Sequence, residues 1–247
     1  GFQAGALVVI DFLRGGQFQW NVNSGVLAQV DSPTQLHVNL YLRDPGEFRI
    51  TVKNPDQRTS EPKTILVGLG GYKLPYASGT HWTLTQGNND QTVEGTHKNS
   101  LMYAYDFAAG GGKCVLAMKA GVVYTHDNGL TGPRCTNGLE YGNYITIDHL
   151  NGEYSHYGHL QTGFTVTNNM YVEQGQALAV VGNTGCVKPS PGGTGIHAHV
   201  HVTRSYNVYD QSAPFLFDDV NSREPSGPPP GQPTENNDYT SQNSSRF

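Results

Sequence analysis

The stretch Ile196-His-Ala-His-Val-His-Val202 decides the fold class, because polar and apolar residues alternate through it without a break. Alternate residues of a β-strand lie on opposite faces of a sheet, so His197, His199 and His201 are predicted to share one face. The residues between them are apolar and suit a buried core. The stretch therefore predicts a strand that packs with one face and carries three imidazoles on the other.

Sequence features that are typical of β-strands recur through most of the chain. Short β-branched and aromatic runs are separated by Gly, Pro and Asn turns, and helical periodicity is hard to find. This spacing is typical of antiparallel β proteins, so we predict an all-β fold. The clearest runs are Ala6–Ile10, Leu36–Leu42, Phe48–Val52, Val115–Met118, Tyr144–Ile147 and Ala177–Val181.

The 247 residues are enough for one large β domain or two smaller ones, and we predict two. Residues 1–69 contain no cluster of residues suited to catalysis or metal binding, and they are expected to form a small β-sandwich-like accessory domain. Residues 70–220 are expected to hold the functional site. Residues 221–247 are rich in Pro, Ser and Asn and lack the apolar mass that offsets ordering entropy, which predicts a disordered tail or linker.

Composition narrows the range of partners. The chain carries 15 Lys and Arg against 20 Asp and Glu, which gives no electrostatic reason to bind nucleic acid. No apolar run approaches the roughly 20 residues that a membrane-spanning helix needs. Neither a nucleic-acid partner nor a membrane span is therefore expected.

Chemistry concentrates in the middle of the chain. All but two of the ten histidines lie between His97 and His201, including the pair His156 and His159. Asp106 stands inside an apolar and aromatic run, where a carboxylate is costly unless it is hydrogen-bonded or binds a metal. Alternating histidines alone are equally typical of the polar outer face of a strand, but the wider cluster favours catalytic zinc, which takes three protein ligands. The motif H-E-x-x-H is absent, which excludes a thermolysin-type site on a helix.

Three sequence blocks of this region resemble the lysostaphin/LytM family of bacterial cell-wall endopeptidases. The family pattern joins an early His and Asp, a middle Tyr-x-His-Leu and a final His-x-His. The connecting phrases are also similar, so the resemblance extends over about residues 72–217. The blocks are Thr96-His97 with Tyr105-Asp-Phe-Ala108, then Tyr157-Gly-His-Leu160, then Gly195-Ile-His-Ala-His-Val200.

This resemblance implies a fold and a set of roles. The fold would be the antiparallel β-sheet of lysostaphin-type peptidases. His97, Asp106 and His199 would hold one zinc ion. His159 and His197 would stand beside a metal-activated water and assist proton transfer, in an order that the sequence leaves open.

Two positions depart from the family pattern. The commonest family spacing is H-x-x-x-D, whereas eight residues separate His97 from Asp106 here, which predicts a looped-out insertion. His201 stands where the family usually has Glu, Gln or a small polar residue. We expect His201 to lie behind the ligands or in solvent, and the role of His156 stays open.

The three cysteines allow at most one internal disulfide. A bond between Cys135 and Cys186 would brace the walls of a groove and is the preferred pairing, with Cys114 as the alternative partner.

The implied function is that of a zinc-dependent endopeptidase acting on cross-links or stem peptides of peptidoglycan. That substrate lies outside the cytoplasm, so a secreted, periplasmic or extracellular monomer is expected. The alternative is a non-catalytic cell-wall-binding or regulatory module that retains the peptidase fold. The complete ligand set argues against this alternative, because a degenerate member would be expected to lose ligands.

Overall fold

The computed structural model describes most of the chain. The chain divides into two compact units, Gly1–Gly68 and Leu69–Phe247, and each unit has its own hydrophobic cluster. The predicted strand Leu36–Leu42 runs into residues 39–45, which are outside the described part. The described ranges are 1–14, 17–38, 46–67, 69–89, 96–138, 140–187, 193–220 and 231–244.

The first unit contains six strands in its described part. They form a four-stranded antiparallel sheet of order β2-β1-β5-β6 and a two-stranded antiparallel ribbon of β3 and β4. Val8, Ile10 and Phe48 are buried in its small core. The sandwich-like arrangement stays a prediction. The strands are β1 Leu7–Arg14, β2 Gln17–Leu27, β3 Gln29–Ser32, β4 Gln35–His37, β5 Gly46–Lys53 and β6 Lys63–Val67.

The second unit contains the remaining strands, numbered onward in chain order. Besides these strands it has one 3-10 turn, Asn99–Leu101, which is the only helical element in the described ranges. The strands are β7 Leu69–Tyr72, β8 His81–Gln86, β9 Tyr105–Ala108, β10 Cys114–Leu116, β11 Gly121–His126, β12 Asn143–Asp148, β13 Tyr154–Leu160, β14 Tyr171–Val172, β15 Ala177–Val180, β16 His197–Thr203, β17 Phe215–Phe217 and β18 Asp238–Thr240.

An eight-stranded antiparallel sheet dominates the second unit. Its order is β14-β11-β12-β13-β16-β9-β8-β18, and two-stranded sheets of β10 with β15 and of β7 with β17 accompany it. In the centre of the large sheet, His199 of β16 lies opposite Asp106 of β9 on one side and Gly158 of β13 on the other. Pairing across strands therefore brings together residues that are far apart in sequence.

One face of these central strands forms the core, as alternation predicts. Tyr105, Phe107, Tyr157, Val200 and Val202 are fully buried in the hydrophobic cluster of the second unit. Apart from one 3-10 turn, every regular element in the described ranges is a strand, and the all-β prediction is confirmed. In the described ranges, no helix is both long and apolar enough to cross a membrane.

The end of the chain differs from the predicted disordered tail. Residues 238–240 form β18, which pairs with β8, and Tyr239 packs against the core. Asn243 is fully buried, and its side-chain amide donates hydrogen bonds to the carbonyl oxygens of Leu74 and Ala117. The prediction is wrong for residues 231–244. Strand pairing and the hydrogen bonds of a buried amide offset the entropy lost on ordering, and composition alone does not reveal these contacts. Residues 221–230 and 245–247 are outside the described part.

Candidate metal centre

The carboxylate of Asp106 is the centre of the site. Its Oδ1 atom lies 2.8 Å from Nδ1 of His199, 3.4 Å from Nε2 of His97 and 3.7 Å from Nε2 of His197. One ligand atom each from His97, Asp106 and His199 lies within 4.8 Å of the other two. Three residues that were predicted from sequence as zinc ligands thus meet in one place.

The long gap between His97 and Asp106 is taken up locally. The 3-10 turn Asn99–Leu101 lies between the two residues and shortens the path of the chain. The Nδ1 atom of His97 lies 2.9 Å from the carbonyl oxygen of Gly87, at the end of β8. Since β8 pairs with β9, this contact holds His97 beside the strand that carries Asp106.

His159 reaches the site through an irregularity in β13. The register between β12 and β13 shifts between Asn143 and Ile145, and His159 has a left-handed backbone with φ of 60°. An extra residue in a strand reverses the face to which the following side chains belong. The ring centroid of His159 is consequently 4.8 Å from that of His197 and 5.6 Å from that of His199.

Each of the four site histidines is held at one ring nitrogen and directs the other inward. Carbonyl oxygens only accept hydrogen bonds, so a ring nitrogen that contacts one carries the proton and the second nitrogen of a neutral ring keeps its lone pair. This is the outer-sphere arrangement expected of histidines that bind metals. The contacts are Nδ1 of His97 with Gly87, Nδ1 of His159 with Thr184 at 2.8 Å, Nδ1 of His197 with Gly195 at 2.8 Å, and Nε2 of His199 with Nδ1 of His201 at 3.1 Å.

The donor set fits a metal cation. Imidazole lone pairs face a carboxylate oxygen at 2.8 to 3.7 Å, and such acceptors repel one another unless a proton or a cation lies between them. Two imidazoles and one carboxylate are a recognised ligand set for catalytic zinc.

Burial and charge oppose each other at this site. Burial alone would raise the pKa of Asp106, but the facing histidines His97, His197 and His199 hold that pKa well below its ordinary range. Burial lowers the pKa of His199 and lowers that of His159 well below its ordinary value. Burial thus favours the neutral rings of His159 and His199, and neutral imidazole beside an ionised carboxylate is the protonation state that metal binding requires.

The site is open on one side. The side chains of Asp106 and His197 keep 13% and 16% of their surface exposed, whereas that of His97 keeps 1%. Solvent therefore reaches the site from the side of His197, where His159 also lies.

The disulfide joins two loops beside the site. Cys135 and Cys186 are bonded, which confirms the preferred pairing, and Cys114 is free. Backbone hydrogen bonds from Cys186 to Glu140 and from Arg134 to Gly185 hold the same two loops together. The bond thus braces the turn that supplies Thr184 to His159.

Four further histidines lie outside the predicted ligand set, although His201 contacts the side of His199 that faces away from Asp106. His156 and His201 are fully buried on the same face as His199, one residue pair further along the sheet. His149 bonds to the carbonyl of Ala120 and to Ser155, and His126 stacks on Tyr144.

The tyrosines of this region have different surroundings. Tyr105 and Tyr157 are fully buried in the core. Sequence reasoning missed Tyr141 as a site residue. Its ring centroid lies 5.6 Å from that of His199, and its carbonyl accepts the backbone N–H of His159. The only signal was its membership of the family-like phrase Tyr141–His149, which indicates a conserved type of segment and not a role.

Residues 85–211 match the model of peptidase family M23. The chain belongs to peptidase family M23. This membership confirms the resemblance seen in the sequence blocks. The matched region includes all five residues that were predicted for the site, and it includes no residue of the first unit. Among curated proteins, no relative of this M23 peptidase is found.

Several solved structures are similar to this M23 peptidase. A zinc-containing peptidase from Vibrio cholerae is 20% identical with a TM-score of 0.39, over 62% of this chain and 46% of that one. Lysostaphin from Staphylococcus simulans is 20% identical with a TM-score of 0.39, over 57% of this chain and 51% of that one. LytU is 22% identical with a TM-score of 0.39, over 56% and 81%. The chain thus spans about half the length of the first two proteins.

Proposed function

We propose that this M23 peptidase is a zinc-dependent endopeptidase that hydrolyses peptide bonds in cross-links or stem peptides of peptidoglycan. The observation that carries the zinc assignment is the convergence of imidazole lone pairs on the ionised carboxylate of Asp106. Family membership supports the peptidase activity. The resemblance of the three sequence blocks to the lysostaphin/LytM family of cell-wall endopeptidases supports peptidoglycan as the substrate, which implies a location outside the cytoplasm.

The proposed ligands are His97, Asp106 and His199. When bound there, zinc would polarise the scissile carbonyl and acidify a water molecule. Asp106 contributes the negative charge, which favours a divalent cation over a proton at the centre of the site. The carbonyl of Gly87 orients the imidazole of His97, so its ligand nitrogen is aimed before the cation arrives.

His159 and His197 are proposed to move protons. Each has its Nδ1 atom tied to a backbone carbonyl, so each offers Nε2 as the exchanging atom. The ring of His197 is the more exposed of the two, and His159 is held neutral by burial. One ring accepts the proton of the attacking water, and one donates a proton to the leaving amine.

The test uses the purified protein with zinc analysis and isolated cell walls. The wild type is expected to bind one zinc ion and to release peptide fragments, and a chelator should stop the release until zinc is added back. His199→Ala should lose both zinc and turnover, because Asp106 and His97 alone leave the cation with two protein ligands. His126→Gln is the matched control, since His126 lies on the same sheet away from the ligand atoms and should keep both.

Two outcomes would change the conclusion. Zinc binding without any fragment release from walls or from general peptides would favour the non-catalytic binding or regulatory module. Fragment release that is insensitive to chelator, from a protein without zinc, would contradict the metallopeptidase proposal.

A further inference from the structure

Two buried histidines beside the site take no part in the proposed zinc binding or proton transfer. His156 of β13 and His201 of β16 are direct register partners and are both fully buried. Their rings stack with centroids 4.7 Å apart and an interplanar angle of 25°. Two polar rings in a dry interior need defined hydrogen bonds, so their partners reveal what they do.

The hydrogen bonds of His201 have a definite direction. Its Nε2 atom lies 3.1 Å from the carbonyl oxygen of Val208, which can only accept, so Nε2 carries the proton of the neutral ring. Its Nδ1 atom then has a lone pair and lies 3.1 Å from Nε2 of His199. The proton between the two rings therefore belongs to Nε2 of His199.

This direction decides which nitrogen of His199 faces the site. With one proton on Nε2, the remaining nitrogen of His199 is Nδ1, which faces Oδ1 of Asp106 at 2.8 Å, and either a cation or a second proton lies between these two atoms. His97, His159 and His197 are instead held at Nδ1 by backbone carbonyls and present Nε2. His199 is thus the one site histidine whose orientation depends on another side chain.

His156 supplies the surface on which His201 rests. The hydroxyl of Thr203 donates to the carbonyl of Ser205, so it accepts from Nε2 of His156 at 2.8 Å. Nδ1 of His156 then accepts from the hydroxyl of Thr146 at 2.9 Å. Both nitrogens of His156 are occupied, and its flat ring packs against His201 without competing for the proton of His199.

We propose that His201, bonded to Val208 and stacked on His156, is a positioning residue that fixes the tautomer and ring orientation of His199, so that Nδ1 is offered to the metal. The assignment of the tautomer stands on the hydrogen bonds alone. The consequence for zinc affinity rests on the proposed function.

Two substitutions separate the hydrogen bond from the packing. His201→Phe keeps an aromatic ring on His156 but removes the acceptor that His199 needs. His201→Asn loses the ring but can place an amide oxygen near the position of Nδ1. We expect His201→Phe to weaken zinc binding by about 10- to 100-fold and His201→Asn to recover much of this loss. A merely structural role predicts the reverse order, because Phe preserves the packing better.

The direct readout is the protonation of the ring nitrogens, observed by 15N NMR of histidine-labelled metal-free protein. The wild type should show a proton on Nε2 of His199 and on Nε2 of His201. A wild-type spectrum with Nε2 of His199 unprotonated would overturn the proposal even if neither variant folds, and so would a folded His201→Phe protein with wild-type zinc affinity. A wild type that shows this tautomer but binds no zinc would refute the proposed function and leave the tautomer assignment standing.

Discussion

At the scale of single residues, the site depends on where each imidazole carries its proton. Backbone carbonyls hold Nδ1 of His97, His159 and His197, and His201 holds Nε2 of His199. Fixed rings lose little entropy when they bind a ligand, so such anchoring raises affinity and defines geometry.

The two proposed proton-transfer residues should be separable from the ligands. His159→Asn and His197→Asn are each expected to lower kcat by about 10²- to 10⁴-fold, because each removes a positioned acid or base. Zinc content should stay at one ion in both, unlike that of His199→Ala. Steady-state kinetics on a defined peptide, with metal analysis of the same samples, measures this. Parallel loss of zinc would show that the residue is a ligand instead.

A second residue-scale prediction concerns acid stability. Burial lowers the pKa of His149 to about 4 from an ordinary value of 6.5, with Lys119 adding to the effect and Glu153 and Asp148 opposing it. Between pH 6.5 and about 4, His149 is protonated in the unfolded chain but not in the folded chain. The contribution of the neutral ring to the free energy of unfolding is therefore complete above pH 6.5 and is lost as the pH falls to about 4. The loss should approach about 3 kcal/mol.

Urea unfolding at several pH values measures this loss. The variant His149→Gln should be less stable at pH 7.5 but should have a shallower decline between pH 6.5 and 4. An unchanged slope would show that other groups dominate the acid response.

At the scale of elements, the loops around His159 are tied together at Asn143. This side chain is fully buried; its Oδ1 accepts the N–H groups of Asn128 and Leu130, and its Nδ2 donates to the carbonyls of Leu130 and Leu160. Its own N–H donates to Thr184, whose carbonyl holds His159. Asn143 thus connects a loop, the end of β13 and the turn behind the ring of His159.

Replacing this amide should affect both stability and rate. Asn143→Ala leaves several buried backbone groups without these partners and should lower the free energy of unfolding by about 3 kcal/mol. Turnover should fall as well, because the carbonyl of Leu160, next to His159 at the end of β13, loses the side-chain donor that holds it. Asn168→Ala is a useful control, because Asn168 makes comparable bonds to Thr125 at an exposed loop and should cost less than about 1 kcal/mol. Equal costs for the two variants would contradict this role of Asn143.

The element scale also explains a glycine beside this amide. Gly142 has φ of 64°, and a Cβ atom there would lie 2.3 Å from the hydroxyl oxygen and 2.4 Å from the carbonyl carbon of Thr184. A side chain at this position would push the turn away from β12. The close approach is needed for Thr184 to reach His159.

At the scale of the second unit, the end of the chain completes the eight-stranded sheet. Asp219 accepts the backbone N–H groups of Leu74 and Gln242, and Asn243 donates to the carbonyls of Leu74 and Ala117. Segments that are up to 169 residues apart are joined by these bonds.

Substitutions at two neighbouring residues test how much these hydrogen bonds stabilise the second unit. Asn243→Ala should lower the free energy of unfolding by about 2 kcal/mol, because two buried carbonyls lose their donors. Gln242→Ala should change it by less than about 0.5 kcal/mol, since the side chain of Gln242 is exposed. Thermal unfolding of the two variants beside the wild type gives the comparison. Similar midpoints for all three proteins would mean that residues 241–244 add little to stability.

The sequence by itself determined the strands and the chemical character of the site. Alternation in Ile196–Val202 fixed which residues face the core, and the concentration of histidines around Asp106 indicated a metal. Periodicity is a local property of the backbone, so these features need no knowledge of distant contacts. The family blocks added which residues to propose as ligands.

Only the tertiary structure decided how those residues meet. Parity along β13 would turn His159 away from the site, and a left-handed residue stabilised by Tyr141 and Thr184 turns it back. The partner of His201 is a carbonyl on a separate loop, and the order of residues 238–244 depends on strands far earlier in the chain. Hydrogen bonds between distant segments determine the orientation of His159, the partner of His201 and the order of residues 238–244. Local sequence patterns do not encode such contacts.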